Sequence, residues 1–258
     1  MLSYIFFIKN SFINFYRNKW SFLGIITFLV IMYSIEGFFW YGFYNNSINK
    51  LYSKNSIILY IMIALTMHQI VSCVGKPDQL SEDIETGSID YFILKPLNYI
   101  NILVSIHIGY VIARFLALSP IILFILCLNS ITHIFIKVTL LFIFSVLCGI
   151  LNCVINIFLS SFTFFYKDSY GFVALKETLF WILSGSLIPL DILPSYIQNI
   201  NKYLPFGYII FYPIQYILNN NENISFLLSM ILIWILFFHF LISKIWRIGI
   251  KKYLAYGG

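Results

Sequence analysis

Long apolar segments alternate with short polar ones along the whole chain. Six apolar segments have lengths that suit helices crossing the roughly 30 Å hydrocarbon layer of a membrane. They occupy residues 22–44, 56–75, 100–126, 134–165, 171–188 and 224–242. The pattern predicts an all-α polytopic membrane protein, with residues 1–258 forming one transmembrane domain.

Composition supports this fold class and excludes several kinds of chemistry. The 258 residues are 60% hydrophobic and 10% charged, whereas a soluble domain carries roughly 25% charged residues. The sequence contains no phosphate-binding P-loop, no hydrolase nucleophile elbow and no histidine or cysteine spacing typical of a metal site. We therefore expect a non-catalytic chain with no cofactor, no metal and no nucleic-acid partner.

The first apolar segment is preceded by an amphipathic stretch, residues 3–20. Asn10, Asn14, Arg17 and Asn18 share one helical face, while apolar residues cover most of the rest. This pattern predicts a helix lying in the headgroup layer at the cytoplasmic surface. The alternative is that these residues are a ragged start of the first span.

Residues 76–98 form the one concentrated island of charge. Half of the acidic residues in the chain lie in it. They are Asp78, Glu82, Asp83, Glu85 and Asp90. Pro77 and Pro96 bracket the island and bias the residue before each of them away from helix. Leu80 and Ile84 give a short helix an apolar stripe, and Gly87 suits its left-handed end. We predict a small amphipathic element outside the bilayer; a solvated loop is the alternative.

The distribution of lysine and arginine predicts the orientation in the membrane. With six spans and a cytoplasmic N-terminus, 11 of the 16 basic residues lie on the inner side, 4 on the outer side, and Arg114 within the membrane. Cytoplasmic loops carry the excess of basic residues. Both termini and the acidic island are therefore predicted to be cytoplasmic.

Residues 189–223 resemble neither a clean span nor a clean loop. Four prolines divide them into apolar pieces too short to cross a membrane: Pro189, Pro194, Pro205 and Pro213. Non-helical backbone survives at membrane depth only against protein or water. We predict short re-entrant helices at the outer face, with a folded external loop as the alternative.

Lys137 lies near the start of the fourth predicted span, and Lys176 and Glu177 lie in the first turns of the fifth. Two other charged residues lie deeper inside predicted spans, Glu36 and Arg114. Intramembrane charges are functional candidates by default because they are costly to place in lipid. They could pair, line a polar path, or extend to an interface. Two charges are too few for a proton relay.

Two of these stretches resemble segments of type 2 ABC-transporter permeases, the exporter type. The acidic island matches the family pattern at Asp83, Ile84, Gly87, Ile89, Asp90, Ile93, Leu94, Lys95 and Pro96. The outer stretch matches at Ser184, Gly185, Pro189, Leu190, Pro194, Pro205, Phe206 and Pro213. The closing KKYLAYGG is similar to the family's basic, aromatic and glycine-containing tail. The resemblance covers the whole chain in order.

The resemblance implies a division of labour between chains. Residues 3–20 would be the elbow helix, 76–98 would contain the coupling helix, and 189–223 the re-entrant helices. A cytosolic ABC ATPase would bind ATP and Mg, and a second permease, related or identical, would complete the transporter in membrane lipid. Leu80 and Ile84 would pack in a cleft of the ATPase. Acidic residues would meet basic residues at its rim: Asp78, Glu82, Asp83 and Glu85.

The expected function is therefore that of an exporter permease in the bacterial cytoplasmic (inner) membrane. It would move an amphipathic or lipid-like substrate, such as a drug, peptide or lipid, out of the cytoplasm by alternating access. Two alternatives remain from the residues alone. One is a membrane scaffold or immunity protein without transport. The other is an intramembrane enzyme acting on lipid, for which the sequence offers few converging polar residues.

Overall fold

The computed structural model of the protein describes residues 2–46, 53–72, 79–93, 97–128, 133–166, 170–219 and 223–255. The described part contains helices and no strands. The α-helices are α1 Leu2–Arg17, α2 Lys19–Asn46, α3 Lys54–Val71, α4 Gln79–Glu85, α5 Asp90–Ile93, α6 Tyr99–Leu128, α7 Ile134–Ser160, α8 Tyr170–Leu183, α9 Ser195–Asn201, α10 Phe211–Asn219 and α11 Ile224–Ala255. Two 3-10 helices, Ser161–Phe164 and Leu190–Ile192, complete the set. The predicted all-α class is confirmed.

Four described helices are long and apolar enough to cross a membrane: Lys19–Phe43, Tyr99–Leu128, Ile134–Phe164 and Ile224–Tyr253. They correspond to the first, third, fourth and sixth predicted spans. The second and fifth correspond to α3, with 18 residues, and α8, with 14. At 1.5 Å per residue these helices measure about 27 Å and about 21 Å. The six-span layout therefore stays a prediction, because both helices are shorter than the roughly 30 Å hydrocarbon layer, and α8 is clearly so.

Three helices form the centre of the bundle. α3, α6 and α7 pack against one another, while α11 packs on α7 and α2 packs on α3. Only 11% of the most apolar stretch of α2 is buried, and the same holds for α11, whereas 44% of the corresponding stretch of α6 is buried. The rest of the described chain therefore leaves most of the apolar surface of these two peripheral helices uncovered.

The amphipathic opening is a helix of its own, α1, which ends at Arg17. The Asn18 side-chain carbonyl accepts a hydrogen bond from the Ser21 amide at 3.2 Å, which caps the start of α2. α1 packs along the first half of α6, because the Tyr4 hydroxyl accepts from the Asn98 amide and the Tyr16 hydroxyl donates to the Ala113 carbonyl. Its place in the headgroup layer stays a prediction.

Gly109 on α6 permits this close packing. A Cβ at this position would lie 2.4 Å from the Ile8 carbonyl oxygen and 2.9 Å from Ser11 Cβ. We expect Gly109→Ala to lower the free energy of unfolding by about 1–3 kcal/mol, because the backbone of α1 would have to move away. Thermal unfolding of the purified protein in detergent measures this loss.

The matched control for Gly109 is Gly24 on α2, where an added Cβ meets nothing within 4 Å. Gly24→Ala should raise stability by up to about 1 kcal/mol, because alanine favours helix over glycine. Opposite signs for the two substitutions are the expected result. Equal effects would mean that α1 does not pack on α6 at Gly109.

Candidate functional site

The acidic island folds into two short helices joined by a tight turn. α4 ends after Glu85, and the Thr86 hydroxyl and amide both donate to the Glu82 carbonyl, at 2.7 and 2.9 Å. Gly87 follows with φ +76°, the left-handed conformation that glycine adopts without strain. The predicted helix with a glycine end is therefore confirmed. Lys76, Pro77, Asp78, Lys95 and Pro96 lie outside the described residues.

The apolar face of α4 is buried within this chain, which corrects the prediction that Leu80 and Ile84 face a partner. Leu80 is 2% exposed and Ile84 is 7% exposed. α4 packs against the 3-10 helix Ser161–Phe164 and the end of α7. The sequence identified the stripe correctly but assigned it to the wrong neighbour, because the end of α7 already covers it.

Asp83 is partly exposed, but both of its carboxylate oxygens accept hydrogen bonds within the chain, unlike those of a charge left for a partner. The Tyr99 hydroxyl donates to Asp83 Oδ2, and the Ser88 hydroxyl donates to Asp83 Oδ1 at 2.8 Å. This carboxylate joins α4, the turn after it and the start of α6. Hydrogen bonds to an ionised carboxylate are stronger than neutral ones, so Asp83 holds the segment in place.

An aromatic cluster connects this segment to the neighbouring helices. It consists of Phe92, Tyr99, Phe164 and Trp246, and we call it the aromatic hub. The Tyr99 ring lies 4.6 Å from Phe92 and 5.8 Å from Trp246, centroid to centroid, and Trp246 lies 5.6 Å from Phe164. Gly249 admits Phe164, since a Cβ there would lie 2.4 Å from the ring. The hub links α5, α6, the 3-10 helix and α11, and sequence reasoning missed it because its members are far apart in the chain.

The outward side of the segment is acidic. Glu82 and Glu85 are exposed, Asp90 is partly exposed, and Tyr91 is 63% exposed. Among the predicted coupling residues, these acids lie on the surface that a partner would meet. Tyr91, which was not predicted, lies beside them. We call Glu82, Glu85 and Tyr91 the acidic edge.

The two predicted intramembrane charges do not pair. Arg114 is fully buried and its Nη1 donates to the carbonyls of Gln69, at 2.7 Å, and Ser72, at 2.9 Å. It therefore caps the C-terminus of α3, where the carbonyls lack helical partners. Glu36 instead accepts from Trp40 Nε1 at 3.1 Å.

Two further polar groups within the bundle are notable. Asn152 Nδ2 donates to the Val71 carbonyl at 3.0 Å, so α7 shares in capping α3. Lys176, which is 2% exposed, forms an ion pair of 2.8 Å with Glu177. Sequence reasoning placed Lys176 and Glu177 in the first turns of a span but gave them no role. The ion pair supplies the counter-charge that a buried lysine requires.

The outer stretch is packed against the bundle. Gly185 has φ +81°, and its carbonyl accepts from the buried Tyr60 hydroxyl at 2.7 Å. Pro189 and Pro194 precede the 3-10 helix and α9, Pro213 lies in the first turn of α10, and Pro205 lies between these two α-helices. α10 contacts α3, α7 and α11, which is the protein cover that re-entrant helices need. Its depth in the membrane stays a prediction.

Comparison with known proteins gives one family. A family model described as "ABC-2 family transporter protein" matches residues 19–257, which is nearly the whole chain. The match includes α4, the acidic edge and the outer stretch. No curated protein matches the chain.

Proposed function

The chain belongs to the ABC-2 transporter family, and we propose that it is the permease subunit of an ATP-driven exporter. The family's membrane domain is generally non-catalytic, so hydrolysis is assigned to a separate cytosolic ATPase. The substrate that we propose is amphipathic or lipid-like and leaves the cytoplasm by alternating access.

The observation that carries this proposal is the way the α4–α5 segment is held. Leu80, Ile84 and Asp83 hold the segment against the rest of the chain, while the acidic edge is exposed. A segment that transmits force must be anchored to the spans and accessible to a motor. Both conditions are met here, and they support α4 as the coupling helix.

The proposed mechanism follows from those attachments. ATP-driven closure of two ATPase subunits would displace the acidic edge. The aromatic hub would pass the displacement to α6 and α11, because Tyr99 and Trp246 belong to those helices. The spans would then shift between two packings, which is a population shift between inward-open and outward-open states.

The partners and the orientation are also part of the proposal. The excess of basic residues on the predicted inner side supports cytoplasmic termini in the inner membrane of a bacterium. The little-buried faces of α2 and α11 suit lipid and a second permease subunit. Electrostatic attraction between the acidic edge and a basic rim on the ATPase would steer the encounter.

The two alternatives make different predictions about the acidic edge. A scaffold or immunity protein needs no motor, so this surface would bind no ATPase. An intramembrane enzyme would need polar side chains converging at one depth. In the part of the chain that the structure describes, Arg114 and Asn152 are used to cap α3 and Lys176 to pair with Glu177, which disfavours the enzyme.

The test reverses the charge of the acidic edge. We expect the double variant Glu82→Lys, Glu85→Lys to weaken association with the cognate ATPase by about tenfold or more, because attraction becomes repulsion. ATP turnover of the reconstituted complex should fall in parallel. Co-purification and turnover in liposomes are the two measurements, each repeated at low and high salt.

The control is Glu222→Lys, the same kind of charge change in the predicted outer stretch. It should leave both association and turnover unchanged. If the Glu82, Glu85 double variant binds the ATPase and supports turnover like the unmodified chain, the acidic edge is not the coupling surface.

A further inference from the structure

A small cleft lies between α2 and α3, away from the coupling segment. It has about 300 Å³ of empty space when its open mouth is included, and is lined by Tyr33, Glu36, Gly37 and Trp40 of α2 and by Ile58, Ile61 and Met62 of α3. The enclosed part is smaller than an ordinary ligand pocket, so a bound molecule would fill the cleft and extend beyond it. The cleft combines a carboxylate, two aromatic side chains and an apolar wall.

The carboxylate of Glu36 is the reason to consider a ligand. A charge inside a membrane is retained when it pairs with another charge or serves a function. Among the described residues Glu36 forms no ion pair, and its hydrogen-bond partner is the neutral Trp40 indole. By contrast, Glu177 pairs with Lys176, and Arg114 donates hydrogen bonds that cap the end of α3. The counter-charge for Glu36 is therefore left to a molecule that enters the cleft.

The aromatic side chains beside Glu36 are held in place by their own contacts. The Tyr33 hydroxyl donates to the Met62 carbonyl at 3.3 Å and also contacts Thr66 Oγ1, which ties the ring to α3. Trp40 is 3% exposed and contacts Phe39 and Phe43 edge-to-face, with ring centroids at 5.4 Å in both cases. Tryptophan and tyrosine faces attract organic cations, most strongly when the cation is desolvated.

We propose that this cleft binds an organic cation with a small apolar body, such as a quaternary ammonium compound. The ammonium group would lie against Glu36, Tyr33 and Trp40, and the apolar body against Ile58, Ile61 and Met62. Methionine adapts its shape to varied ligands, which suits a site that accepts a class of molecules.

The position of the cleft gives the site a role in transport, and this role rests on the proposed function. Glu36 lies ten residues from the end of α2 and the α3 wall begins four residues from its start, so both lie within about 15 Å of these helix ends. In the predicted orientation those ends are outer. The cleft is then an outer binding site for a cationic substrate.

The experiment uses the full chain in dodecyl maltoside and radiolabelled benzyltrimethylammonium, with equilibrium dialysis corrected for empty micelles. We expect saturable binding that Glu36→Gln weakens by about tenfold or more, because the shape is kept and the charge is lost. Neopentylbenzene, the uncharged isostere of the probe, should not compete. Phosphatidylcholine added to the micelles tests whether a lipid ammonium group occupies the same site, whereas phosphatidylglycerol should not compete.

A second variant blocks the cleft and leaves its charge intact. An added Cβ at Gly37, which lines the cleft, meets nothing within 4 Å, so a side chain can begin there without a clash, and Gly37→Leu should occupy part of the cleft and weaken binding. Gly42→Leu, on the same helix and equally open, should bind the probe normally. Glu222→Gln is the matched control for loss of an acid.

Two results would overturn the site: no saturable binding above empty micelles, or equal affinity in the unmodified chain and in Glu36→Gln. The second would mean that the Glu36 carboxyl is neutral and serves only Trp40. Neither measurement involves the ATPase or the acidic edge. The cation site and the coupling proposal therefore fail or succeed separately.

Discussion

Replacing Leu80 with aspartate is expected to lower the free energy of unfolding by about 4 kcal/mol or more. Leucine-to-alanine changes in a core already cost about 2–5 kcal/mol, and an unpaired buried carboxylate adds to that cost. Leu80 is 2% exposed, and its helix α4 packs against the 3-10 helix at the end of α7. The isolated chain, with no ATPase present, should therefore unfold at a clearly lower temperature.

This result distinguishes two views of α4. If Leu80 were an anchor for the ATPase, the isolated variant would remain as stable as the unmodified chain and would lose only its partner. If Leu80 is interior, stability falls first, and ATP turnover is lost although the acidic edge is unchanged in sequence. Thermal unfolding in detergent, measured before any reconstitution, separates these outcomes.

The control is Tyr91→Asp, which places the same group at a residue that is 63% exposed in the same segment. It should change the unfolding temperature little. Amide hydrogen exchange over α4 adds a local measurement, because detachment of α4 alone would expose its amides without unfolding the bundle. If the α4 amides of the Leu80→Asp variant exchanged as slowly as those of the unmodified chain, Leu80 would not be buried against the bundle.

The sequence was sufficient for features that depend on local chemistry. Gly87 could be predicted as a left-handed helix end because the position follows an amphipathic turn and precedes a second helical start, and its φ is +76°. Apolar length identified four spans. The ordered motifs of the acidic island and the outer stretch identified the family that the comparison then found.

The sequence was insufficient where a residue's role depends on a distant neighbour. A stripe of Leu80 and Ile84 shows that one face of α4 is apolar, but nothing in seven residues says what covers it. Asp83 has the same chemistry as Glu82, yet only Asp83 lies near Tyr99. α11 continues past the predicted span 224–242 to Ala255, and the Lys244 amine lies 4.3 Å from the centroid of the Phe240 ring.

Arg114 is the other case, and the substitution Arg114→Met should also have a large effect. Its guanidinium donates to the carbonyls of Gln69 and Ser72 in a fully buried setting. A positive charge there also favours the negative end of the α3 dipole. Methionine fills similar space but donates nothing, so these carbonyls lose a charged donor inside the bundle.

We expect the Arg114→Met substitution to lower the free energy of unfolding by about 3 kcal/mol, since hydrogen bonds to charged groups contribute about 1.5–3 kcal/mol each. Arg114→Lys should recover part of the loss, because lysine keeps the charge but not the planar geometry that reaches two carbonyls. The order arginine, lysine, methionine in thermal stability is the expected result. Arg247→Met, at an exposed residue of α11, is the control and should have little effect.

The loss should be concentrated at the end of α3, and this concentration has a consequence for coupling. α3 leads along the chain to α4, so a frayed α3 would loosen the connection between the span and the coupling segment. Hydrogen exchange of the Gln69 to Ser72 amides should therefore accelerate in Arg114→Met, and ATP turnover by the ATPase should respond less to this variant than to the unmodified permease. If exchange at these amides is unchanged, and if Arg114→Lys and Arg114→Met are equally stable, then Arg114 does not cap α3.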